Sequence, residues 1–303
     1  MRNLLSIVCI IAFFSFCNNS DWEKNHSDAH SQEVKQWQNQ RIERLKAPDG
    51  WLTLAGLLWL EEGENSFGSA KSNDVIFPVE LVIDQLGWIY VKDNQVSIKI
   101  KDGFEVLHDS IAITEMNLLS DADGKATVLN YDRYSWYIIK RNGRFAIRLK
   151  DKESKVLKEF KGIETWPIDQ NWKFVADYKP YNPPKNIIIP NVMGSADTNQ
   201  CFGTLEFEIE GNSFSLDPIG EKGAKNLFII LSDETSGMES YGGGRFLYVP
   251  GPDSNNKVII DFNKAYNPPC AFTAYATCPL PPEQNHLPVL ITAGEKSYGN
   301  GHH

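Results

Sequence analysis

Residues 134–151 read YSWYIIKRNGRFAIRLKD, the clearest hairpin pattern in the chain. Tyr134, Trp136 and Ile138 alternate with more polar neighbours before Asn142-Gly143, and Phe145, Ile147 and Leu149 do the same after it. Successive side chains of a strand point to opposite faces, so this alternation buries one face and wets the other. Asn-Gly tolerates positive φ at both central positions of a type I′ turn, whose twist suits two antiparallel strands. The stretch is therefore predicted to be a β-hairpin.

From Asn65 onward the same short alternating runs recur between turn residues, the pattern of a sandwich or barrel. GTLEFEIEGNSFSLDP (203–218) is expected to turn at Gly211-Asn212, and Glu62–Pro78 to form a hairpin at Asn73-Asp74. KNLFIILSDE (225–234) and GRFLYVP (244–250) form a third pair across a glycine-rich loop, followed by the strand NKVIIDF (256–262). Parallel α/β architecture needs helical crossovers between strands, and none are visible. One helix is expected, from about Asp28 to Lys46, with Val34, Trp37, Ile42 and Leu45 on its apolar side and Ala47-Pro48-Asp49-Gly50 as its stop. WLTLAGLLWL (51–60) is too apolar for the surface and reads as buried core, with Trp51 and Trp59 as packing. The fold class is mainly β: antiparallel sandwich or barrel-like sheets with one N-terminal helix.

The first residues, MRNLLSIVCIIAFFSFCNNS, place Arg2 before an apolar run from Leu4 to Phe16 and then turn abruptly polar. This is the layout of a secretory signal, too short to span a bilayer. Cys17 stands where a bacterial lipoprotein is lipidated, although Phe16 is bulkier than the usual preceding residue. Residues 1–17 are thus expected to be a lipoprotein-type signal peptide, 18–31 a polar tether, and 32–303 the mainly β domain. A proline-rich loop at Tyr178–Gln200 gives a sub-boundary near 180–200. The expected address is extracytoplasmic, with lipid-anchored attachment as the only membrane contact. A formal net charge of -9 over 303 residues, with no block of Lys or Arg, excludes a nucleic-acid backbone as partner.

Two segments carry candidate chemistry. In DETSGMESYGGGRFLYV (233–249), glycines 242, 243 and 244 could offer backbone N–H groups to an anion, with Arg245 as a clamp. The competing reading is a turn whose Arg245 pairs internally with Asp233 or Asp261. No Walker or dinucleotide spacing is present, so no cofactor is expected. In DFNKAYNPPCAFTAYATCPLPPEQN (261–285), five prolines stiffen an irregular chain. Asp261, Asn263, Tyr266 and Asn267 precede the prolines, and Glu283, Asn285 and Glu295 follow. These groups either line a polar pocket or cap a backbone that has lost its ladder bonds. Cys270 and Cys278 read as buried thiols, a disulfide, a metal pair with His286, or a nucleophile; Cys201 is left over.

Together GWLTLAGLLWLEEGENSFGS, SNDVIFP, the glycine loop and the proline-rich segment through LITAGEK resemble the bacterial family named domain of unknown function 1684, over roughly Trp37 to Lys296. The resemblance implies that DFNKAYNPPCAF and ATCPLPP are the family's signature, and it implies no activity. His286 stands where members often carry Arg, which weakens it as a metal ligand or base; no metal is expected. The resulting expectation is a C-terminal polar pocket for a small, anionic ligand, in which Asp233, Asp261 and Tyr241 could perform hydrolysis. Ligand contacts would come from Arg245, Gly242, Gly243, Gly244, Asn263, Tyr266 and Asn267. The alternative is a non-catalytic binding or scaffolding lipoprotein, and the residues leave open whether the protein is an enzyme.

Overall fold

The computed structural model describes residues 19–78 and 83–299. The signal segment and Cys17 lie outside the described residues. The hairpin Tyr134–Arg141 with Arg144–Asp151 forms, pairing Arg141 with Arg144 across Asn142 (φ 52°) and Gly143 (φ 76°), but its outer face is not wet as expected: Ile139, Ala146 and Arg148 are buried as well. It is the centre of a six-stranded sheet flanked by Leu54–Trp59 on one side and by Leu129–Tyr131, Val106–His108 and Ile111–Ile113 on the other. A five-stranded sheet faces it, built from Gly63–Gly68, Val75–Ile76, Gly87–Lys92, Gln95–Ile100 and Glu115–Leu118. Their inner faces share one core in which Phe67, Phe77 and Trp136 pack edge to face or tilted. Burying each such side chain contributes about 1.5–3 kcal/mol.

The C-terminal half is a second pair of sheets. One holds Asn212–Leu216, Ala196–Ile209, Lys173–Pro190 and Lys257–Asp261; the other holds Arg245–Pro250, Asn226–Asp233 and the short His286–Leu287. Phe174, Phe207 and Phe262 cluster between them. The sheets are antiparallel except for two short parallel pairings, Phe67 with Val75 and Ser232 with His286.

Several local expectations are corrected. Glu62–Pro78 is not a hairpin: its two strands run parallel, because Asn73 is tied to the carbonyls of Ala70 and Asp84 and holds the connection inward. The turn after Ile209 is Glu210-Gly211, one residue earlier than expected, with φ of 50° and 79°. Tyr178–Gln200 is not a loop: it holds most of the strand Lys173–Pro190, the turn after it and the start of the paired strand Ala196–Ile209. Pro183 and Pro184, which have no N–H to give, fall in the register break between Pro180 and Lys185, where the ladder needs none. Beyond the break Ile187 and Ile189 are buried while Ile188 is exposed, a strand's period of two.

The N-terminal helix runs Asn19–Lys46, so the segment expected as a tether is helical from Asn19. Its buried stripe is His30, Val34, Arg41 and Leu45, at helical spacing but half polar. Among the described residues no helix is long and apolar enough to cross a membrane. A second, five-residue helix at Lys155–Glu159 is capped by the Ser154 side chain. Cys270 and Cys278 are joined as a disulfide, while Cys201 is a buried free thiol.

Candidate functional site

The carboxylates expected to do chemistry are committed elsewhere. Asp233 and Arg245 are an ion pair with fully buried side chains, Nη2 to Oδ2 at 2.7 Å. Asp233 Oδ1 also accepts from the Thr235 amide (2.9 Å), the Thr235 hydroxyl (2.7 Å) and the Ile291 amide (3.3 Å). Arg245 donates in turn to the carbonyls of Ala293 and Ile291 and packs over the Trp166 ring at 5.2 Å. Burial pulls the Arg245 pKa down, with Asp233 opposing. This is the internal pairing named above, and it leaves Arg245 no fork for an external anion.

Asp261 caps the turn after its own strand: Oδ1 accepts from the Asn263 amide and side chain, and Oδ2 meets His30 Nε2 at 2.9 Å. Asn263 spends its remaining capacity on the Asp169 backbone. Asn267 donates its amide to Glu295 and its side-chain N–H to the Lys296 carbonyl. Glycines 242–244 solve a tight turn, closed by the Gly244 amide on the Tyr241 carbonyl. Gly244 (φ +79°) sits where a Cβ would lie 2.3 Å from Pro281 and 2.6 Å from the Leu231 carbonyl. The Tyr241 ring is half-buried against Gly243, and burial raises its hydroxyl pKa.

His286 does not meet the cysteines. Its ring joins the Ser232 hydroxyl (3.1 Å) and Glu234 (3.3 Å) in a serine–histidine–glutamate chain that the sequence reading missed, because parallel pairing sets Ser232 beside His286. His286 and Glu234 are about half exposed, so water would compete for every bond a charge relay needs. Among the described residues no group of three His, Cys, Asp or Glu is placed to hold a metal ion.

What the fold does build is a cleft of about 680 Å³ between the N-terminal helix and the C-terminal sheets. Trp37 and Trp51 come from the helix and the turn after it; Phe228, Phe246 and Tyr248 come from a sheet, and Tyr266 and Pro269 from the proline-rich segment. Arg41, Arg44, Lys264 and Asp49 supply its charges. Tyr266 is the one expected site residue that lines it. The ring of Tyr266 is held edge-on by Phe246 at 5.8 Å and covered by the Arg41 guanidinium at 4.6 Å. Arg41 is fixed by Glu295 (3.2 Å) and the Asn267 carbonyl (2.8 Å). The helix end is locked against Gly50, where a Cβ would lie 2.3 Å from the Leu45 carbonyl.

Sequence reasoning missed Trp37, Arg41, Arg44 and Trp51 as cleft residues. A signal was available: positions 37, 41 and 44 follow the i, i+4, i+7 spacing of one helix face, directly before a helix stop and a second tryptophan.

The architecture defines a mainly β protein with an aromatic, cation-edged cleft. Residues 158–296 match the family model described as "Protein of unknown function (DUF1684)". The match holds the sheet side of the cleft, whereas Trp37 to Trp51 precede it. No match is found among curated proteins. The solution NMR structure of an uncharacterized protein of Haloarcula marismortui is similar at 28% identity, covering 46% of this chain and 78% of that chain, with a TM-score of 0.39.

Because Asp233 is wholly buried, Arg245→Met should strand its charge and lower the unfolding free energy by about 3–5 kcal/mol. Urea titration followed by circular dichroism checks this, and a loss below about 1 kcal/mol would dismiss the network as a stabiliser. Glu295 gives a pH test. Burial pushes its carboxyl above the ordinary range, with Arg41 opposing. A raised folded-state pKa means that its contribution is full below the unfolded value of about 4.3 and is lost as pH rises through the folded one. Relative to Glu295→Gln, the wild-type advantage should therefore shrink as pH rises from about 4 toward neutrality. An advantage that grows with pH would contradict this sign.

Proposed function

We propose that this protein is a non-catalytic binding lipoprotein that holds a small ligand with a flat ring in the cleft between its N-terminal helix and C-terminal sheets. The observation that carries this reading is the convergence of six aromatic side chains, Trp37, Trp51, Phe228, Phe246, Tyr248 and Tyr266, around one cavity of about 680 Å³. Cavities of roughly 300–1,000 Å³ with apolar walls and few polar groups suit small molecules. Hydrolysis is the weaker reading, because a general base must reach a substrate proton, and the acceptors of Asp233 and Asp261 are engaged internally.

Tryptophan emission offers a direct test, since Trp37 and Trp51 line the cleft. Naphthalene- or indole-based probes should quench it saturably, and Trp51→Ala should weaken binding about tenfold without a comparable loss of thermal stability. Unchanged affinity in that variant would remove the cleft from consideration.

The same proposal places the protein outside the cytoplasm, lipid-anchored at Cys17. Its support is the charged-apolar-cysteine layout of residues 1–17 and a disulfide of the kind oxidising compartments retain. Metabolic labelling with tritiated palmitate should mark the wild type and not Cys17→Ser. Equal labelling of both would exclude this anchor.

A further inference from the structure

Resting on that binding reading, we infer that the cleft selects an aromatic monocarboxylate, and that Arg44 is the residue that reads the carboxylate. The inference comes from the charges around the cavity. Arg41 is matched by Glu295 at 3.2 Å. Lys264 is matched by Glu33 and, at 3.9 Å, by Asp261. The Lys150 ammonium donates to the Asp49 backbone carbonyl, and the Asp49 carboxylate has no ion pair among the described residues. Arg44 is the remaining cation on the cleft lining, and among the described residues its guanidinium has neither a hydrogen bond nor an ion pair.

A second donor stands near it. The Tyr266 backbone is bridged to Phe246 and its ring is packed by Trp37, Phe246 and Arg41, but its hydroxyl has no hydrogen-bond partner among the described residues. Tyr266, Tyr248 and Arg44 line the same cleft. One uncommitted cation and one uncommitted phenol thus stand at the edge of an otherwise aromatic cavity.

That combination specifies a ligand. The flat part must be an unsaturated ring, because the walls are rings: Trp37 beside Tyr266 at 6.1 Å, and Phe228 stacked on Tyr248 at 4.7 Å. The anionic part should carry a single charge, because only one positive charge is left uncompensated. A planar carboxylate presents two oxygens that match the guanidinium fork, with a lone pair left for the Tyr266 hydroxyl. A phosphate monoester approaches two negative charges at neutral pH and would need a second free cation.

Calorimetric titration of the full mature protein at neutral pH and fixed ionic strength tests this with 2-naphthoate, 2-naphthamide and 2-naphthyl phosphate. The naphthoate should bind about tenfold more tightly than the amide, and the phosphate no more tightly than the naphthoate. Arg44→Gln should bring the naphthoate down to the affinity of the amide, leaving the amide unchanged; Arg44→Lys, which keeps a cation without the fork, should retain part of the preference. A wild type that binds amide and naphthoate equally would overturn the carboxylate assignment while leaving the cleft as a binding site. So would a preference that survives in Arg44→Gln, or a phosphate that binds tenfold tighter than the naphthoate. Binding of none of the three would overturn the cleft reading itself.

Discussion

A helix whose inward stripe contains a histidine and an arginine can dock only where carboxylates wait for both. His30 meets Asp261, and Arg41 meets Glu295 together with the Asn267 carbonyl. Desolvating such groups costs several kcal/mol each, which the docked geometry must offset with hydrogen bonds of good length. An apolar stripe could slide or rotate on an apolar surface at little cost; these two contacts fix both the rotation of the helix and its position along its own axis. Everything that makes the cleft a cleft depends on this, because Trp37, Arg41 and Arg44 form one of its walls.

The opposite wall is held by different means. The segment after Asp261 has prolines in place of ladder donors, and its shape is set by internal caps and by the Cys270–Cys278 disulfide. Closing so short a loop contributes about 2–3 kcal/mol on the chain-entropy account. Beneath it, the Asp233–Arg245 pair reaches the carbonyls of Ile291 and Ala293 and ties the last stretch of chain to the glycine loop. The polar residues that look most like chemistry in the sequence, Asp233, Arg245, Asp261 and Asn263, are thus paired inside this scaffold. Tyr266 and Pro269 project from that scaffold into the cavity.

Much of the fold was legible because its signals are local. The Asn142-Gly143 turn and the alternation around it depend on residues near in sequence, and the hairpin forms about that turn. The proline-rich strands Lys173–Pro190 and Ala196–Ile209 were not legible, because prolines exclude a strand only where the ladder needs their N–H, and a register break removes that need. The site was hidden for a related reason. Arg41 looks like a solvated helix residue until Glu295, 254 positions away, is brought beside it. Asp233, Asp261 and Asn263 look available until their partners Arg245, His30 and Asp169 are known. Sequence reveals which side chains can make a polar contact; it does not reveal which contacts are already made.

That distinction bears on what the cleft can do. A catalytic site keeps a titratable group both accessible and perturbed, so that a proton can move to a bound substrate. Here the perturbed groups Glu295 and Arg245 are buried inside networks, while the cleft presents guanidinium, ammonium, phenol and indole groups and the Asp49 carboxylate. Burial moves the Tyr266 hydroxyl further from ionisation, which makes it a donor and not a base. On the proposed reading, such a set orients a planar anion and shields its ring from water. Each wall of the cleft is fastened by contacts that do not face the cavity, His30 and Arg41 on the helix side and the Asp233–Arg245 pair on the other.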